Sequence, residues 1–234
     1  VLVDNHAAYG RTPATLRILQ PMIGDGLFLA QGAAWRFQRR TAAPAFAPRS
    51  LDLVAAVAAR RTAELAATLP AGPVDLLARM QRLTLEIAGD ALFSQAMAPF
   101  AARLRSTLDA YGRNLARPSP LDVVLGAETP TPALIFRHRA GAAFKRVIAD
   151  VIAARASRGV GDPPRDLYDL LITARDPETG RGFDAEELLD QTATLIIAGH
   201  ETTALTLFWS LYQHPLAPDV QAAVAAEAGT VTPT

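Results

Sequence analysis

Residues 192–212 read TATLIIAGHETTALTLFWSLY, an apolar run broken at its centre by Gly199-His200-Glu201-Thr202-Thr203. The run is long enough to cross a bilayer, which takes about 20 residues as a helix. A histidine and a carboxylate at its midpoint argue against lipid, and no basic cluster flanks it. The better reading is a helix buried inside a protein. Its middle makes three locally unfavourable choices. Glycine within a helix costs roughly 1 kcal/mol relative to alanine. A carboxylate in apolar surroundings needs a partner or water. Thr202 can bond back to the carbonyl of Ala198, one turn earlier, and bend the helix. Such a cluster marks a functional site or a kink, and it also fits a polar notch bonded to a neighbouring element.

The helix has a clear start. Asp184 followed by Glu187 has the spacing of a capping box, with aspartate in the serine role, and would launch seven or eight turns ending before Pro215. A last helix fits Pro218 to Ala228. Upstream, helices fit Gly32–Ala43, Leu51–Leu69, Val74–Phe93, Pro99–Ala116, Pro132–Arg158 and a short one capped by Asp166 through Ala174. Asp4 to Tyr9 has short helical or turn character, and the rest of the segment to Pro21 is mixed. Gly24-Asp25-Gly26 is a turn signal. Arg117 to Pro132, with four prolines, reads as an irregular connection. The fold class is mainly α, about eight helices around one long central helix.

Composition supports this and narrows function. Half of the 234 residues are hydrophobic and only 6% aromatic, and alternating β-branched runs are scarce. Lysine plus arginine equals aspartate plus glutamate at 23 each, so nothing electrostatic favours nucleic acid. There are no cysteines, which excludes disulfides, thiolate metal sites and cysteine nucleophiles within the chain. A zinc HExxH reading fails because position 204 is Ala204, and His6, His138, His200 and His214 lack ligand spacing. The chain opens on Val1 without a methionine or a signal-like pattern.

AGHETT at 198–203 resembles the oxygen-activation motif in the long central helix of cytochromes P-450. A second stretch resembles the same family in the right order: Gly24-Asp25-Gly26-Leu27-Phe28, then WxxxR at Trp35 and Arg39, then Ala43-Pro44-Ala45-Phe46. Trp35 and Arg39 are four apart and share one helix face, and arginine's planar fork suits a carboxylate.

The resemblance implies a haem-dependent monooxygenase that inserts one atom of molecular oxygen into an organic, apolar substrate. It implies haem (heme) as cofactor, a ferredoxin or reductase as redox partner, and a cytoplasmic location without a transmembrane segment. Glu201 would be the acidic member of a proton-delivery pair. Thr202 would hydrogen-bond the oxygen being activated and water. Ala198 and Gly199 would let the helix open beside the haem, and Trp35 and Arg39 would contact a haem propionate. His200 occupies the family's variable position and receives no role, and Thr203 is read as a packing residue. Met97 to Phe136 would form much of the roof over the substrate. The family's ExxR helix and cysteine loop have no counterpart here, and no residue is assigned as a metal ligand. The expectation is a single partial P-450 domain over residues 1–234, lacking the C-terminal haem-thiolate region and inactive alone. The rivals are a catalytically dead helical protein and a non-enzymatic helical binding module.

Overall fold

The computed structural model describes residues 9–94 and 98–230. The expectations for Asp4 to Ala8, for His6 and for Met97 lie outside the described residues. Among the described residues there are ten helices and no strand. They are α1 (Pro13–Ile23), α2 (Gly32–Ala42), α3 (Leu51–Ala67), α4 (Leu76–Phe93), α5 (Ala98–Asn114), α6 (Pro120–Val124), α7 (Pro132–Ala156), α8 (Leu167–Thr173), α9 (Ala185–Gln213) and α10 (Pro218–Ala228).

All eight expected helices form, and the caps behave as read. The Asp184 carboxylate accepts from the Glu187 amide at 2.9 Å, while Glu187 accepts from the Asp184 amide at 3.0 Å. Asp166 likewise accepts from the Asp169 amide at 2.8 Å. The two additional helices correct the reading of their segments. In α1, Thr12 is the N-cap and Pro13 opens the helix, a pairing suited to a first turn. In α6, Ser119 and Asp122 form a capping box with Pro120 at the start.

The core gathers around the first half of α9. Phe93 of α4, Leu104 of α5, Phe144 and Ile148 of α7, Leu171 of α8 and Ile196 of α9 are fully buried together. A smaller cluster joins Met80 and Leu83 of α4 to Ala204 of α9. Beyond Ala204 the expectation of a buried helix fails. Leu205, Trp209, Leu211 and Tyr212 are exposed among the described residues, because the apolar packing on this half comes from Leu76, Met80, Leu83 and Ile87 of α4 and Leu65 of α3, on one side of the helix. No described helix is long and apolar enough to cross a membrane.

The Gly24-Asp25-Gly26 turn docks directly on α9. Gly24 has a φ of 56°, and a Cβ there would lie 1.9 Å from an Asp190 carboxylate oxygen. That carboxylate accepts from the Asp25 amide at 2.9 Å and from Lys145 Nζ at 2.6 Å. Gly24→Ala is therefore expected to lose at least about 1–3 kcal/mol through backbone strain alone, read as a lower urea midpoint.

The connection at 117–132 is organised by Asp122, a fully buried carboxylate. Arg137 donates to both of its oxygens at 2.7 and 2.8 Å, and Arg17 Nε donates at 2.9 Å. Arg17 also reaches the Gly126 and Thr129 carbonyls and the Thr131 hydroxyl, so one guanidinium folds the whole connection.

Candidate functional site

The turn of α9 at 198–204 divides two cavities. On one side is an apolar cavity of about 530 Å³, lined by Leu195, Ala198, Gly199 and Thr203 of α9 and by Ala45 and Phe46 after α2. Ala88 and Ala91 of α4 complete one wall. On the other side is a cavity of about 610 Å³ between α4, α5 and α9, to which His200 and Glu201 contribute. The helical repeat causes this split: residues 198, 199 and 203 fall on one face, while 200 and 201 turn to the other.

Gly199 differs from Gly24 and Gly26. At those two positions protein atoms forbid a side chain. At Gly199 the nearest atom a Cβ would meet is Ala88 Cβ at an ordinary 3.7 Å. Packing within the described protein therefore does not demand glycine here, and the missing side chain widens the apolar cavity instead.

Thr202 makes the bond its position suggested: its hydroxyl donates to the Ala198 carbonyl at 2.6 Å. Glu201 is exposed, and Gln81 Nε2 lies 3.3 and 3.4 Å from its two carboxylate oxygens. Gln81 belongs to α4, 120 residues away in sequence, so no motif pointed to it. The Thr84 hydroxyl lies 3.0 Å from the His200 carbonyl and ties α4 to the same turn. His200 is buried, and burial pushes its imidazole pKa below the ordinary value despite the opposing pull of the Glu201 charge.

Trp35 and Arg39 lie on α2 and are both exposed. Neither lines the apolar cavity. The structure thus brings Ala198 and Gly199 together with Phe46 but does not bring Trp35 and Arg39 to them. It connects the two groups through the chain, since α2 runs into the 3₁₀ turn Ala43–Phe46 that forms the cavity wall. No ion pair of Arg39 occurs among the described residues. Nor does any group of three or more histidine, cysteine, aspartate or glutamate residues there have metal-holding geometry. The stretch expected to be an apolar roof presents Arg105, Asp109 and Arg113 to the second cavity, so that face is charged.

Comparison with known proteins finds relatives along most of the chain. The chain is 34% identical over 213 residues to cyclooctat-9-en-7-ol 5-monooxygenase of Streptomyces melanosporofaciens, covering 88% of this chain and 45% of that protein. It is 33% identical over 214 residues to cyclooctatin synthase of the same organism, covering 91% and 46%. A bifunctional cytochrome P450/NADPH–P450 reductase of Acremonium egyptiacum is 26% identical over 216 residues, covering 86% of this chain and 20% of that protein. The chain spans less than half the length of these relatives. The sequence profile of the cytochrome P450 family matches residues 1–234, and the chain belongs to that family.

Proposed function

We propose that these residues are the oxygen-handling part of a haem-dependent P450 monooxygenase acting on an organic, apolar substrate. The observation that carries this reading is the position of the 198–203 turn, with small residues facing an apolar cavity and Glu201 facing a charged one. The residues fit haem. A flat, largely apolar macrocycle suits a cavity walled by Phe46, Leu195, Ala198 and a glycine that protein packing does not require. An exposed arginine suits a carboxylate edge. Ala198 and Gly199 would hold the macrocycle face, and Trp35 with Arg39 a propionate. When bound, haem supplies the activation of molecular oxygen, one atom going to the substrate and the other to water.

The rest is the work of this chain's own side chains. Glu201 takes a proton from the second cavity and passes it to Thr202, the next residue of the same turn, whose back-bond to Ala198 holds the hydroxyl in place. The chain has no cysteine, so the thiolate ligand belongs to the remainder of a longer domain, together with a ferredoxin- or reductase-type electron donor. In its favour are the partial coverage of the relatives and the reductase in the name of one of them.

The test is haem reconstitution with the reduced carbon monoxide spectrum. Full-length protein should give a thiolate-type Soret band, and Gly199→Leu, which fills the cavity, should lower haem occupancy severalfold without unfolding the protein. Full-length protein that folds but takes up no haem would overturn the reading. The isolated 234 residues should give no thiolate-type band, and such a band from them would overturn the assignment of the ligand to the remainder.

A further inference from the structure

The second cavity holds a histidine that the oxygen-activation motif does not account for. His200 is 4% exposed, and its Nε2 is buried without a hydrogen-bond partner in the described protein. Its Nδ1 lies 3.8 Å from the Glu201 carboxylate. That is too long for a direct hydrogen bond and short enough for strong electrostatic coupling. His200 is one of the residues that line the cavity. The charged and titratable groups facing that cavity come from each packed element: Asp75 from the start of α4, Arg105, Asp109, Tyr111 and Arg113 from α5, and Glu201 from α9 itself. A buried ring nitrogen without a protein partner is the kind of group that orders a water molecule, given room and further polar neighbours.

We infer that His200 is a positioning residue for Glu201: its imidazole orders water in the α4–α5–α9 cavity and aligns the carboxylate to draw its protons from there. The inference rests on the proton-delivery role proposed above for Glu201. The ring need not carry a second proton. Burial and Arg105 disfavour the cation, whereas Glu201, Asp109 and the Gln81 backbone favour it, and burial prevails. The imidazole is thus neutral near pH 7, and offers one donor and one acceptor. Asp75 at the start of α4, together with Arg105, Asp109 and Arg113 one turn apart along α5, makes the cavity polar enough to hold water.

The experiment uses the haem-loaded full-length protein and two readouts. The first is imidazole titration by ¹⁵N NMR, with the His200 signal assigned by its loss in His200→Gln. The midpoint should lie below 6.5, the ordinary histidine value, and Glu201→Gln should move it lower still by removing a charge that raises it. A midpoint indifferent to Glu201→Gln would overturn the coupling. The second is peroxide released per oxygen consumed across a pH series. His200→Phe should raise it severalfold and flatten the pH profile, His200→Gln should restore much of the coupling, and His200→Phe should add nothing in a Glu201→Gln background. An additive effect in that double variant, or equal loss in both His200 variants, would mean a purely structural histidine and sink the inference. If Glu201→Gln and Thr202→Ala themselves leave coupling unchanged, it is the reading of those two residues that fails, an outcome distinct from failure at His200.

Discussion

Asp122→Ala is expected to lower folding stability by about 3–5 kcal/mol, the usual cost of removing one partner from a buried ion pair. Arg17 and Arg137 are both almost fully buried and both converge on this carboxylate. Without it, two guanidinium groups stay in the interior with only carbonyl and hydroxyl acceptors. Against a total stability of about 5–15 kcal/mol, that loss is large enough to loosen the whole α5–α7 connection. Urea denaturation monitored by circular dichroism measures it, and a change below about 1 kcal/mol would show that the network is not structural. The pH dependence gives a second check. Hydrogen bonds from Arg137, then from Ser119 and Arg17, hold the Asp122 carboxyl far below the usual carboxylate range in the folded state. Its folded pKa is depressed, so its contribution is complete above the unfolded value of roughly 3.9 and falls away as pH drops toward the folded one. The stability gap between the natural protein and Asp122→Ala should accordingly narrow on acidification below about pH 4.

Thr202→Ala in the full-length protein is expected to lower product formed per oxygen consumed by on the order of 10²-fold, the lower range for a lost acid–base group. Oxygen consumption should continue and peroxide should appear instead. The structure separates this effect from misfolding. Thr202 is exposed, and among the described residues its hydroxyl bonds only to the Ala198 carbonyl within its own helix. Alanine is the better helix former, and the back-bond it removes slightly destabilises helices. The thermal midpoint should therefore stay the same or rise while coupling collapses. Unchanged coupling would remove Thr202 from proton delivery.

The central helix was legible because its signals are local. Asp184 and Glu187 stand three residues apart, and Thr202 and Ala198 four apart, so backbone geometry alone decides that they meet. The two helices that escaped reading carried local signals too, Thr12-Pro13 for α1 and Ser119-Pro120 with Asp122 for α6. Both were obscured by prolines, which open a helix as readily as they end one. Where on α9 the apolar surface stays exposed was not legible, because an apolar run specifies that something should cover it but not which described element does.

The sequence by itself determined an all-helical chain, its caps, and a polar turn inside an apolar helix that resembles one family's motif. These depend on neighbours within one or two helical turns, where spacing fixes contact. Only the tertiary structure decided that the turn separates an apolar cavity from a charged one. It also decided that Gln81 approaches Glu201 across 120 residues, and that Asp122 sits between arginines 105 residues before it and 15 after. Those pairings depend on how helices cross, and crossing is settled by which faces bury the most surface together rather than by distance along the chain.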